Sequence, residues 1–410
     1  MRLESNLEEL DMSCNQMNCL TLNDISIGKG SYGISASAVD YSSDLYTYLR
    51  ITDINDDGTL NKEGLMSVNN PNSYKYILKS NDIVFARTGN STGRSYFYDG
   101  SLGDIVYAGF LIKFSLDPQK VNPKYMKYYT LSKEYRDWVK SFSTGSTRGN
   151  INAKTYGEMK INLPSREQQN YTVEVLSSLD KKIELNNEMN KTLEEMAQAL
   201  FKRWFVDFEF PNEEGKPYKS SGGEMVESEM GMIPKGWHVG CLADLVNIKY
   251  GKDHKKLEDG DIPVYGSGGI MRYVNKSLYE KESVLIPRKG TLNNVMYVNQ
   301  PFWSVDTMFF TEMKLPNIAK FVYQFVKSKD LAKMNMGSAV PSMTTSILNS
   351  MKIVIPDKMN LQKFNEIVST FYDKIEFNDN NTKNLIKVRD SLLPKLMNGE
   401  ININNIEAIL

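Results

Sequence analysis

Two short segments place an arginine where it could meet an anionic or hydrogen-bonding ligand. Arg87-Thr88-Gly89-Asn90 follows the apolar run DIVFA, and Thr92-Gly93-Arg94 comes close behind. Pro287-Arg288-Lys289-Gly290 occupies the matching place after SVLI, with Asn293 and Asn294 beyond it. An arginine at a strand end beside a glycine turn offers a planar guanidinium and free backbone amides. Those are the donors that phosphate oxygens and base edges accept. An ordinary hairpin with solvated charges would explain either segment alone; their matching placement argues for a shared role. A second pair is Gly145-Ser146-Thr147-Arg148 and Gly337-Ser338-Ala339-Val340, where hydroxyls and turn amides suit a phosphate. Arg148 has no basic counterpart in the later copy. A third loop, Tyr265 to Gly269, carries Ser267, with Arg272 just after it. It lacks the GxxxxGK spacing of a nucleotide-binding loop, and a plain turn is its alternative reading. The candidate contact set is therefore Arg87, Thr88, Asn90, Arg94, Ser146, Thr147, Arg148, Ser267, Arg272, Arg288, Lys289, Asn293 and Ser338. Aromatic residues make up 11% of the chain and are assigned to the core, none to base stacking.

Residues for catalysis are scarce. The two histidines, His238 and His254, have no triad or metal-ligand companions nearby in sequence. The three cysteines, Cys14, Cys19 and Cys241, show no CxxC spacing, which argues against a zinc site and a disulfide framework. Asp56-Asp57 sits in a turn, where solvation is the simpler account. No Walker motif, glycine-rich cofactor loop or Asn-Pro-Pro-aromatic motif of adenine methyltransferases is present. We expect no catalytic residues, no metal and no cofactor on this chain. The N-terminal segment is acidic without an apolar stretch, and no run approaches the ~20 apolar residues of a membrane span. A cytoplasmic protein is expected. The net charge is -1, but it is unevenly placed. Residues 1–11 and 207–229 are strongly acidic, which leaves the remainder mildly basic and compatible with phosphate contacts.

The elements that would position these loops are duplicated. Aligned without gaps at an offset of 192, Gly145–Trp204 and Gly337–Leu396 share fifteen of 60 positions, where chance gives about four. Met159-Lys160-Ile161 matches Met351-Lys352-Ile353, and Lys182-Ile183-Glu184 with Asn186 matches Lys374-Ile375-Glu376 with Asn378. Each repeated segment reads as a long helix. Ser165 and Gln168 have capping-box spacing. Leu176, Ile183, Asn186, Leu193 and Leu200 keep a heptad seam in the first, as do Phe371, Ile375, Asn378, Leu385 and Leu392 in the second. Lengths of roughly 55–65 Å follow from the 1.5 Å rise, and the two apolar faces predict a coiled-coil pair. Asn186 and Asn378 either fix register inside the seam or face solvent from a loose one. Upstream of each helix the pattern changes to short alternating strands over 45–54, 82–87, 106–114, 283–286 and 295–298, with short helices over 123–140 and 318–334. Residues 210–237 read as an extended connector.

The segment LPSREQQNYTVEVLSSLDKKIELNNEMNKTLEEMAQALFKRWFVDFEF resembles the central conserved helix of type I restriction–modification specificity subunits. PYKSSGGEMV followed by GMIPKGW, the stretches IPVYGSGGI, LIPRKGTLNNVMYV and FWSVDTMFF, and the ending VRDSLLPKLMNGEI are similar to that family in the expected order. The resemblance covers most of the chain. It implies an α+β fold with two target-recognition domains separated by two long antiparallel helices, a pseudo-twofold duplication. The divisions would be 1–162, 163–210, 211–235, 236–355 and 356–400. It implies that each domain reads half of a bipartite site in double-stranded DNA, with the helices setting the spacer and docking two modification subunits. S-adenosylmethionine would belong to those subunits, and ATP and magnesium to a restriction subunit. The competing readings are a stand-alone methyltransferase or nuclease with a cryptic site, and a protein-binding coiled-coil scaffold.

Overall fold

In the computed structural model, which describes residues 18–142, 149–334 and 342–401, the chain forms two compact units. Met1–Glu184 with Thr382–Leu410 make the first, and Leu185–Asn381 the second.

The first unit is built on a four-stranded antiparallel sheet in the order Ser31–Tyr32, Leu111–Ser115, Asp82–Ala86, Ser95–Tyr98. All five residues of DIVFA are buried, as a central strand covered on both faces requires. A second sheet orders Ala38–Val39, Met66–Val68, Tyr46–Leu49 and Ile105–Tyr107, the last two parallel. A separate antiparallel pair joins Asn18–Thr21 to Lys160–Leu163. The second unit repeats this plan. Val246–Tyr250, Met308–Met313, Ser283–Pro287 and Met296–Val298 form its four-stranded sheet. Gly269–Val274, Ile262–Gly266 and Trp303–Ser304 form the next, again with a parallel pair. His238–Cys241 pairs with Lys352–Ile355, as Asn18–Thr21 does with Lys160–Leu163. The duplication therefore runs through both modules, well beyond the 60 positions where sequence identity reveals it.

Several local expectations are revised. The helix expected over 123–140 is two helices, Pro123–Tyr129 and Lys133–Lys140. Ser132 sits between them and accepts a hydrogen bond from the Tyr135 amide, so a new helix starts there. The later helix is shorter than expected, Ala319–Lys327. The stretch 106–114 is two strands, because the chain turns between Tyr107 and Leu111. The connector is not wholly extended: Met225–Ser228 and Gly231–Pro234 pair as a hairpin.

Both long helices contain forty residues, Arg166–Phe205 and Lys358–Met397, so each is about 60 Å long at 1.5 Å per residue. Ser165 caps the first, its Oγ accepting from the Gln168 amide at 3.3 Å. Asp357 caps the second, accepting from the Asn360 amide at 2.9 Å. Contacts climb one helix while they descend the other, so the pair is antiparallel. In the second unit Asn186 bonds Asn381, Asn190 bonds Asn378 and Asp379, and Phe201 packs on Phe364. Asn186 and Asn378 are 3% and 2% exposed, which places both inside the seam. Leu200, Phe371 and Ile375 flank the second unit's core, which is dominated by Phe201, Trp204, Phe205, Phe321 and Phe364. In the first unit Leu176 is fully buried, and Leu392 packs against the same core. Ile183, Leu193 and Leu385 are half-buried.

In the first unit a charge cluster ties the two long helices to the short helix Pro123–Tyr129. Asp180 accepts from Lys127 at 2.7 Å, from the Tyr128 hydroxyl at 3.0 Å and from Arg389 at 3.2 Å. Burial pushes the Asp180 carboxyl up, but the Lys127 charge and the bonds from Lys127, Arg389 and Tyr128 outweigh it and hold it below its ordinary value. A carboxyl depressed on folding stabilises the native state above its unfolded pKa of about 3.9, and that contribution fades as pH falls through the folded value. Asp180→Asn should therefore cost about 1–3 kcal/mol near neutrality. The gap between mutant and wild-type melting curves should close in acid below about pH 4. A gap that persisted unchanged in acid would exclude the charge cluster as its cause.

Candidate nucleic-acid interface

Each arginine loop emerges from a buried strand and is clamped on both sides by backbone. In the first unit the Arg87 amide donates to the Phe110 carbonyl at 3.0 Å, and the Arg87 carbonyl accepts from the Ile151 amide at 2.9 Å. In the second, the Arg288 amide donates to the Thr307 carbonyl and the Arg288 carbonyl accepts from Met343, both at 2.8 Å. Thr88 then bridges Asn150, and Lys289 bridges Ser342. Two residues past each arginine stands a glycine in the left-handed region, Gly89 at φ 77° and Gly290 at φ 83°. A side chain at either place would be strained. The turn is thus the same device in both units.

The guanidinium groups also have matching neighbours. Arg87 lies over the Tyr32 ring at 5.2 Å and near Phe110 at 5.9 Å. Arg288 lies over Tyr250 at 5.5 Å. Tyr32 and Tyr250 end the edge strands of the two four-stranded sheets, at equivalent registers opposite Ile112 and Phe309. The next residue is glycine in both, because a Cβ on Gly33 or Gly251 would stand 2.3 or 2.0 Å from the backbone oxygens of Ala108 or Val305. Among the described residues neither arginine has a carboxylate partner, and the buried Nε of Arg87 meets no acceptor.

The other sequence candidates divide by how their donors are used. Asn90 and Lys289 are exposed on the arginine loops, and Thr88 is half-buried there. Arg94 instead donates to Asp56 at 2.7 Å and to the Ile54 carbonyl at 3.0 Å. Arg272 donates to the Leu257 carbonyl and to Asp259. Asn293 bonds Asp330 and accepts from the Ala332 amide. These three side chains tie loops to their own unit. Ser267 lies beside the arginine loop, its carbonyl accepting from Asn294 at 2.8 Å. Ser146, Thr147, Arg148 and Ser338 lie outside the described residues. The chain resumes against the arginine turn, where Thr92 Oγ1 donates to the Gly149 carbonyl at 3.0 Å. The sequence reading missed Tyr32, Phe110 and Tyr250, and also the exposed Lys252, Lys255 and Lys256 that follow Tyr250. The run GKDHKK was a usable signal for the lysines. Among the described residues no group of His, Cys, Asp and Glu could hold a metal ion, and no helix is long and apolar enough to cross a membrane.

Beside the arginine turn the two units differ. The strands Tyr46–Leu49 and Met66–Val68 are joined by residues 50–65, whereas Ile262–Gly266 and Gly269–Val274 are joined by Ser267-Gly268 alone. The long connection is held by Arg50 on Asp53 and by Arg94 on Asp56.

A module used twice, with one arginine turn in each copy and a long helix after each, defines a duplicated α+β recognition fold. The chain belongs to the type I restriction modification DNA specificity domain family, whose model matches residues 20–195 and 234–388. It is 28% identical to the MjaIX specificity subunit of Methanocaldococcus jannaschii, over 69% of this chain and 70% of that protein. It is 24% identical to the HindI specificity subunit of Haemophilus influenzae, over 87% of this chain and 96% of that one. The crystal structure of a type I restriction–modification S subunit from M. genitalium shares the fold. Its TM-score is 0.56 at 19% identity, covering 93% of this chain and 96% of that one.

Arg94→Ala should leave global stability nearly unchanged, because the Asp56 end of the ion pair is 85% exposed and such pairs are worth about 0–1 kcal/mol. It should accelerate amide exchange at Asn55 and Gly58, whose turn the guanidinium holds. Unchanged exchange there would show that the turn holds itself.

Proposed function

We propose that this chain is the DNA-reading subunit of a type I restriction–modification complex and has no catalytic centre of its own. Each unit reads one half of a bipartite site in double-stranded DNA. The long helices set the spacer and dock two modification subunits, which bring S-adenosylmethionine and methylate adenine; the restriction subunit supplies ATP- and magnesium-dependent cleavage. On this reading the chain divides into a first target-recognition domain at 1–162, a central helix at 163–210, a connector at 211–235, a second recognition domain at 236–355 and a terminal helix at 356–400.

The observation that carries the reading is the pair of equivalent arginines, which have no carboxylate partners among the described residues. A buried donor that meets no acceptor is costly unless water or a ligand completes it, and the Arg87 Nε is such a donor. Arginine is the side chain whose planar fork matches guanine O6 and N7 or a phosphate. Arg87, Thr88 and Asn90 would meet one half-site, and Arg288 and Lys289 the other, with Ser146, Thr147, Arg148, Ser267 and Ser338 alongside. Arg94, Arg272 and Asn293 would act by holding the flanking loops in place.

In the assembled complex, Arg87→Ala should weaken target binding by about five- to 150-fold, the range of one base contact worth about 1–3 kcal/mol. That loss should disappear on a duplex whose first half-site is already scrambled. Arg288→Ala should behave likewise for the opposite half. Substitutions that weakened the same half, or neither, would refute the assignment. A loss that was uniform across sequences, with the salt slope reduced by about one, would identify a phosphate contact.

Inserting four residues, about one helical turn, into each long helix should change the preferred spacer and leave the half-site sequences alone. Methylated adenines mapped across the host genome report both quantities. Altered half-sites would contradict the spacer role.

A further inference from the structure

We infer that Tyr32 and Tyr250 are positioning residues that hold the Arg87 and Arg288 guanidinium groups ready for a DNA phosphate or base edge, an inference that rests on the DNA-reading role proposed above. Both rings are well exposed, 42% and 52%, so neither is needed to fill a core. Both nevertheless occupy one structural position, the last residue of the edge strand, fixed by the glycine that follows. Each ring is itself anchored. The Tyr32 hydroxyl accepts from the Ala153 amide at 3.1 Å, at the start of the short helix Ala153–Gly157. Tyr250 packs edge-on against the fully buried Phe309, with ring centres 5.0 Å apart.

A free arginine on an exposed turn samples many rotamers and loses that freedom when it binds. A cation held over an aromatic face has lost part of it already, while its outward N–H groups remain available. A carboxylate could also orient the group, but it would consume the donors and repel phosphate. An aromatic ring orients without doing either. The units differ in degree. Arg87 has a second ring, Phe110, where Thr307 stands beside Arg288. Among the described residues the Arg288 side chain has, besides Tyr250, a long contact of 3.4 Å to the Asp306 carbonyl. Its orientation therefore depends more on the single tyrosine.

The test is a double-mutant cycle on the full chain assembled with its modification subunits. The probe is a duplex carrying the target found by mapping methylated adenines. Tyr250→Ala should weaken binding about two- to fivefold, the size of an exposed cation–π contact, and should add nothing once Arg288 is alanine. Tyr250→Phe should restore binding. Tyr32→Ala should have a smaller effect than Tyr250→Ala, and Tyr32→Ala with Phe110→Ala should match it. A tyrosine effect that stayed additive with Arg288→Ala would mean that the ring touches DNA itself, and would overturn the positioning role. So would failure of phenylalanine to rescue, or a silent Tyr250→Ala beside a damaging Arg288→Ala. A silent Arg288→Ala would remove the DNA-reading assignment together with this inference.

Discussion

Each unit is organised around one backbone constraint: an arginine at the end of a fully buried strand, with its amide and its carbonyl both spent on neighbouring chain. The amide of Arg87 is taken by Phe110 and its carbonyl by Ile151; Thr307 and Met343 do the same for Arg288. That clamp leaves only the side chain free to move. The strand before it cannot slide, because a one-residue shift would send its apolar side chains to the opposite faces of a sheet packed on both sides. Gly89 and Gly290 then turn the chain away in a conformation that other residues resist. The fold thus fixes where the guanidinium starts and delegates only its orientation to neighbouring rings.

The helices supply a different kind of order. Buried asparagines at Asn186 and Asn378 are costly unless paired, and the pairing they find is with Asn381 and Asn190 on the opposing helix. A register shift would strand those amides in the seam, so polarity there selects one alignment among several that an apolar seam would accept. The aromatic packing of Phe201, Phe205, Phe321 and Phe364 supplies affinity but less discrimination. In the first unit Asp180 performs the selective task through Lys127 and Arg389, and so ties the short helix Pro123–Tyr129 to both long helices at one carboxylate.

What could be read in the sequence was local or repeated. The long helices show in the heptad seam and in the 192-residue echo, because helix periodicity survives divergence. The arginine turns show because Arg-x-Gly after an apolar run is a contiguous signal. Tyr32 and Tyr250 do not show. The strand that carries Tyr32 has two residues, too few for any alternation, and each tyrosine meets its arginine only through sheet pairing far along the chain. The same holds for Asn18–Thr21 and His238–Cys241, whose partners lie at the opposite end of each module. The break at Ser132, which accepts from the Tyr135 amide, does not show because it lies inside a stretch of mostly helical pattern.

Duplication explains how one chain comes to present two readers; divergence beside the arginine explains how they can differ. The clamp, the left-handed glycine and the tyrosine are common to both units, so they carry no information that distinguishes one half-site from the other. The connection between neighbouring strands is where the units part. It is the long segment 50–65, braced by Arg50 and Arg94, in one unit, and Ser267-Gly268, bonded to Asn294, in the other. Both connections lie against the arginine loop of their own unit, through Arg94 in one and Asn294 in the other. A scaffold that holds a general donor fixed and varies the loop beside it can change sequence preference without refolding. On the proposed reading, the arginines supply anchorage that is the same for both half-sites, and the discrimination between them arises in these unlike neighbours.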